Sequence, residues 1–353
     1  SLVFASPDRF EGHRSHLMGL FLPGVGYGLE ENERRAARPL AVAAGQALTL
    51  RADLLASAGA TDALVALDRW FAKHGYPRPL PRPRGSDAEE IAFCLRGYFK
   101  DRALWNPEWK KWYSDLIVGF HPTDGPASEL VWGAEILGSG PVAEEARALA
   151  AEVWGGDERS RLLRVQFRAD PAGILAQGRS VRGLIASQNP DGTWRFGGDK
   201  AGDWPAKGVN YKVLGPVGAS EVGLTAANAA SLLNHAILTG DAEAGAAGLK
   251  ALAALRQFRV PRAAQVWEVP VHTPDILASA HATQAYVAGY RLTGDRAYLR
   301  DAVYWARTGL PFVYVWSAAD RPAMQGASIP VFGATAYVLS WFGVAVQWNG
   351  LAY

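Results

Sequence analysis

At 353 residues, with 49% hydrophobic and 20% charged side chains, the chain has ample material for a large core and is not of disordered composition. A net charge of +2 without a concentrated basic stripe argues against a nucleic-acid partner. The lone Cys94 excludes an intrachain disulfide framework and a cysteine-based zinc site, and its neighbours Ala92, Phe93 and Leu95 predict a buried thiol.

Residues 1–35 read as an irregular lip segment, in which His13 and His16 have no third metal ligand close by in sequence. Helical pattern runs from about Arg35 to Ser57 and again through Leu64, Leu67, Trp70 and Phe71. The proline-rich stretch Tyr76 to Arg84 predicts a stiff, extended connection. Asp87 to Phe99 is predicted helical, and Asn106-Pro107 is predicted to open another helix, with Trp105, Trp109, Trp112 and Tyr113 close together. Helical pairs follow at Ser128–Leu137 with Pro141–Trp154, and at about Asp157–Phe167 with Gly173–Ser187. Strands find little support anywhere.

The later part carries a clearer pattern. Ser220 to Leu238 and Asp275 to Thr293 are long and almost free of formal charge, and each ends in Thr-Gly-Asp, at 239–241 and 293–295. A helix apolar or small on nearly every side is expected to be buried all round. Each corner should then lead into a helix with one charged face, such as Asp295, Arg296, Arg300, Asp301 and Arg307 opposite Leu299, Ala302, Val303 and Ala306. Gly333 to Asn349 is a third uncharged stretch. Pro330 and several polar amides between Pro322 and Tyr353 argue that this region is not a membrane span. Long loops precede the three stretches, and tight turns close the first two, so the inner helices should run parallel with their N-termini on one functional face. About six such hairpins without an exact period predict an all-α fold, a single α/α toroid over residues 1–353.

Arg182-Gly183-Leu184 with Gln188-Asn-Pro-Asp-Gly192-Thr-Trp194 resembles the QW-type motif at outer-helix ends in α/α toroids, including terpenoid cyclases and some pectate lyases. Physically, Asn-Pro-Asp-Gly is a turn that stops a helix, Gln188 can bond loose backbone ends, and the Trp194 indole can cover the turn. The aromatic position of the motif is Leu184 here, and neither the DxDD nor the DDxxD string that terpenoid cyclases need is present. In organisation the chain is more similar to the toroidal glycoside hydrolases and polysaccharide lyases, which implies an oligo- or polysaccharide substrate.

Thirteen Trp and twelve Tyr suit stacking on sugar faces, and Trp204, Tyr211, Trp267 and Trp316 fall in the predicted mouth loops together with Trp194 and Tyr314. The expected reaction is glycoside hydrolysis by paired carboxylates, for which Glu221, Glu268 and Asp275 stand at or before helix N-termini. Capping is the alternative reading of Asp275 and of Glu221. A β-eliminating lyase would need a base such as His272, His281, Tyr211 or Tyr286, and groups such as Asn228, Arg262 or Gln325 to neutralise a uronate. His235 and His281 also read as hydrogen-bonded core residues. A third reading is a toroid that binds glycan or protein without turnover. No cofactor is called for; calcium through Asp199 and Asp203 would lack EF-hand spacing.

Overall fold

The two Thr-Gly-Asp corners organise a run of four long helices. A computed structural model describes residues 2–5, 17–20, 42–47, 49, 58–59, 62, 64–79, 81–114, 121–155, 178–198, 214–266, 269–315, 325–329, 331 and 347–353. These are predominantly α-helical. They divide into two compact units, one of Ser1–Pro77 with Val181–Tyr353 and one of Arg78–Ser180.

In the first unit, β1 (Leu2–Ala5) and β2 (Leu17–Leu20) pair antiparallel, and α1 spans Leu64–His74. Helix α5 (Gly178–Ser187) leads to four helices in sequence: α6 (Val222–Thr239), α7 (Ala242–Leu255), α8 (Ile276–Thr293) and α9 (Arg296–Gly309). At the first corner Gly240 adopts a left-handed conformation (φ 75°), its N–H donates to Ala236 O, and Asp241 then caps α7 by accepting from Glu243 N and Ala244 N. Gly294 (φ 74°) and Asp295 repeat the device between α8 and α9. Only a residue without Cβ takes that backbone cheaply, which is why the motif reads so well.

Helices α6 and α8 pack side by side, with α7 against α6 and α9 against α8. Their shared core contains Val222, Leu232, Leu233, Leu252, Leu255 and Tyr286, all fully buried. Each such aliphatic side chain contributes about 1.5–3 kcal/mol from burial. Alanine and glycine at the contacts let the helices approach closely: a Cβ on Gly248 would lie 2.6 Å from Leu233 Cγ, and one on Gly289 2.4 Å from Leu252 Cδ1. A short helix, α10 (Gln347–Ala352), falls at the end of the third uncharged stretch, most of which lies outside the described residues, as do His13, His16 and the helix expected at 157–167.

The QW-like segment does the structural work expected of it. Gln188 Nε2 donates to Gly192 O (3.1 Å) and to Ala247 O of α7 (2.9 Å), and Trp194 Nε1 donates to Ser187 Oγ (3.0 Å) at the end of α5. Arg182 adds ion pairs to Asp241 (2.6 Å) and Glu243, tying α5 to the first corner.

The second unit contains α2 (Asp87–Arg96), a three-stranded antiparallel sheet, α3 (Pro126–Leu137) and α4 (Pro141–Trp154). The sheet runs β3 (Trp105–Asn106), β4 (Lys111–Ser114), β5 (His121–Thr123) in that order. This corrects the helix expected from Asn106-Pro107 and the all-α expectation. Asn106 Oδ1 does accept from the N–H groups of Glu108 (2.9 Å) and Trp109 (3.0 Å), but it folds a hairpin turn there, not a helix cap. The aromatic cluster is real: Trp105 and Trp112 meet edge to face at 5.2 Å, and Trp112 Nε1 donates to Tyr98 O (2.7 Å). Cys94 is a second correction. Helix α2 turns Leu95 inward, so Cys94 and Phe93 face solvent, with the Arg84 guanidinium over the Phe93 ring. An apolar neighbourhood in sequence does not decide which face of a helix a residue takes.

Candidate functional site

Helices α6 and α8 begin against one segment, Pro261 to Gln265, in which Ala263 takes a left-handed backbone (φ 66°). Gly223 N–H donates to Arg262 O (2.8 Å), and Asp275 N–H donates to Pro261 O (2.8 Å). Both helices therefore start at the same end and run the same way, as their matching corners require. The N-terminal lip so formed holds several of the residues singled out in the sequence.

Glu221 and Asp275 occupy equivalent positions, each the residue before its helix, yet they do different work. Asp275 is 0% exposed and its carboxylate caps α8, accepting from Ala278 N (2.8 Å) and Ala264 N (3.1 Å) and from the Gln265 side chain. Burial pushes its carboxyl up to about 7, against the opposing pull of these N–H donors. Glu221 makes no capping bond with its side chain. Its Oε1 instead meets His272 Nδ1 at 3.0 Å and Arg262 Nη1 at 3.5 Å. A carboxylate can only accept, so in this contact Nδ1 is the donor, and Nε2 takes no part in it. The His272 side chain is 37% and the Arg262 side chain 30% exposed, so both are partly open to solvent. Ser220 Oγ, next to Glu221 in sequence, and Arg262 Nε are buried and have no hydrogen-bond partner among the described residues.

The remaining candidates separate. Tyr286 is fully buried and donates to Leu252 O (3.0 Å), tying α8 to α7 inside the core; burial raises its phenol far above the usual range. Asn228 donates to Leu224 O (3.3 Å) within α6. His281 is half-buried on α8, its Nδ1 has no partner, and burial lowers its imidazole below the ordinary value. His235 lies near the far end of α6, 3.6 Å from Asp241. Trp194 belongs to the QW-like turn. Trp204, Tyr211, Trp267, Glu268 and Trp316, and Asp199 and Asp203 with them, lie outside the described residues.

Sequence reasoning missed Gln265 and Asn349. Gln265 is 0% and Asn349 1% exposed, and Asn349 Nδ2 donates to Gln265 Oε1 (2.9 Å). Two buried amides in loop and terminal sequence carry no periodic signal. A shallow groove of about 340 Å³ lies at the opposite end of the helices, lined mainly by Ala236, Ala246, Leu249 and Leu292 around the first corner, away from the lip chemistry. Among the described residues no three His, Cys, Asp or Glu side chains are grouped to hold a metal ion, and no helix is long and apolar enough to cross a membrane.

No protein-family model, curated protein or solved structure matches this chain.

Proposed function

We propose that the chain is a carbohydrate-active enzyme that cleaves a uronate-containing glycan by β-elimination, built on an α/α toroid in which α6–α7 and α8–α9 are successive hairpins. The observation that carries this reading is the contact of His272 Nδ1 with Glu221 beside the Arg262 guanidinium. In that arrangement His272 Nε2 is the base that takes the proton from the carbon alpha to the uronate carboxylate. The electron pair left behind forms the double bond, the bond to the leaving oxygen breaks, and that oxygen takes up a proton. Glu221 holds the imidazole in the productive tautomer and stabilises the imidazolium that forms. Arg262 faces the uronate carboxylate and offsets the charge that builds on it. The unpartnered Ser220 Oγ and Arg262 Nε support a polar ligand at this lip, since buried polar atoms rarely stay unbonded.

Hydrolysis by paired carboxylates is less well supported. It needs a second reachable carboxylate beside Glu221; among the described candidates Asp275 is enclosed and committed to its helix, and Glu268 lies outside the described residues. The deciding test is digestion of a panel of uronate-containing glycans by wild type, His272→Ala and Arg262→Lys, followed by the ultraviolet absorbance of unsaturated uronate. Absorbance that appears with wild type and is lost in His272→Ala is the expected result. New reducing ends without that absorbance would mean hydrolysis instead, and binding without any product would mean a lectin-like role.

A further inference from the structure

The lip segment is held from three directions, and the third is unexpected. Helix α6 bonds it through Gly223 and α8 through Asp275, as described. The third hold comes from residues 347–353. Asn349 Nδ2 donates to Gln265 Oε1, and the Gln265 side chain in turn reaches Asp275, so a buried polar chain runs from α10 to the cap of α8. The other end of the same segment is fixed on α9. The Tyr353 hydroxyl donates to Ala306 O, and its ring lies so close to Gly309 that a Cβ there would come within 2.2 Å of Cε2. Between the two anchors Gly350 sits directly against Ser328, where a Cβ would fall 2.0 Å from Oγ.

Asn349 makes this chain at a cost. Its Oδ1 is buried and has no partner, and an orphaned buried acceptor is unfavourable wherever an apolar side chain of similar size would fit. Among the described residues its amide makes one side-chain bond, and the partner of that bond is the lip.

We infer that residues 347–353 form a strap whose Asn349–Gln265 bond sets the position of segment 261–265, making Gln265 and Asn349 positioning residues for the Arg262 side chain. The mechanical part of this inference stands on the contacts alone. Its effect on turnover rests on the lyase reading above.

The test is hydrogen exchange at the amides of Gly223 and Ala264, measured for wild type, Asn349→Leu and Tyr353→Phe at full length. Asn349→Leu cuts the bond at the lip, and Tyr353→Phe loosens the far anchor while keeping the ring. Both variants should speed exchange at these two amides, by about tenfold for Asn349→Leu and less for Tyr353→Phe, with the Gly240 amide at the far corner unchanged. On a uronate glycan the same variants should lower kcat/KM, because Arg262 is displaced from the carboxylate whose charge it offsets, while the pH dependence set by the base stays as in wild type. Should Asn349→Leu fail to fold, Tyr353→Phe carries the test by itself. Wild-type exchange at Gly223 and Ala264 in every variant that folds would overturn the strap, whatever the activity. Faster exchange in a protein that turns over no glycan would keep the strap and remove the lyase assignment.

Discussion

His272 Nδ1 lies 3.0 Å from Glu221 Oε1, joining residues 51 apart in sequence at the start of two parallel helices. If Glu221 fixes the tautomer, Glu221→Gln should lower kcat by about 100-fold, because an amide can donate to Nδ1 and so leave the proton on Nε2. His272→Ala should lower it by about 10²–10⁴-fold. Initial rates of unsaturated-uronate formation measure both, and a Glu221→Gln variant at wild-type speed would rule out the dyad.

Asp275 predicts a pH dependence of stability. Its folded-state carboxyl is raised to about 7 by burial, whereas in the unfolded chain it titrates near the ordinary value of about 4. The folded state therefore binds the proton more tightly. The stabilisation is fully present below about pH 4 and is lost as pH rises toward 7, by an amount on the order of a few kcal/mol. Asn at the same position keeps a capping oxygen but does not titrate. Denaturant unfolding across this range should show a stability that falls with pH in wild type relative to Asp275→Asn. Parallel curves would show that Asp275 is ionised in the folded state throughout.

Gly223 has no room for a side chain. A Cβ there would lie 2.3 Å from Ala264 N, 2.5 Å from Ala263 C and 2.6 Å from Arg262 O, all backbone atoms that cannot swing away. Gly223→Ala should cost about 3 kcal/mol or more, since the lip must separate from α6 to admit the methyl. Gly183→Ala, on α5 with no atom within 4 Å of its Cβ position, should be neutral or stabilising by about 0.5–1 kcal/mol. Thermal unfolding of the two variants tests the contrast.

Cys94 should react with a thiol reagent in the folded protein about as fast as in denaturant, because helix α2 presents it to water. Cys94→Ser should leave stability within about 0.5 kcal/mol of wild type. Protection of the thiol until unfolding would mean that the Cys94 face of α2 is covered in solution.

What could be read from the sequence was local. Gly240 and Gly294 need a left-handed backbone, and Asp241 and Asp295 need only the next turn of chain to cap it, so the Thr-Gly-Asp corners were visible as strings. The Gln188 and Trp194 bonds were visible for the same reason, being set within one turn and the helix packed on it. The hairpin at Trp105 to Ser114 was not, because strands of two to four residues leave no measurable alternation and Asn106 caps turns and helices alike. At the lip Glu221, Asp275, Arg262 and His272 do come together, but what each contacts depended on long-range packing. Glu221 and Asp275 look identical in sequence, and what separates them is that Asp275 faces Ala264 and Gln265 whereas Glu221 faces Arg262 and His272. Tyr286 was offered as a base because a phenol can serve as one, and only its burial against Leu252 shows it holding two helices together.

The stretch from Pro261 to Gln265 is bonded to both helices at once, through Arg262 to α6 and through Pro261 and Ala264 to α8. One inserted or deleted residue there would break the alignment of both. The approach to Asp275 is held as well, Val269 N–H donating to Gln265 O (2.8 Å), Val271 N–H to Leu214 O (2.7 Å) and Thr273 N–H to Pro270 O (2.8 Å), with Val269 and Val271 buried. Related chains that keep this frame should therefore hold the length from Pro261 to Asp275 constant, so that ligand preference changes through the side chains the lip presents while the helical frame stays as it is.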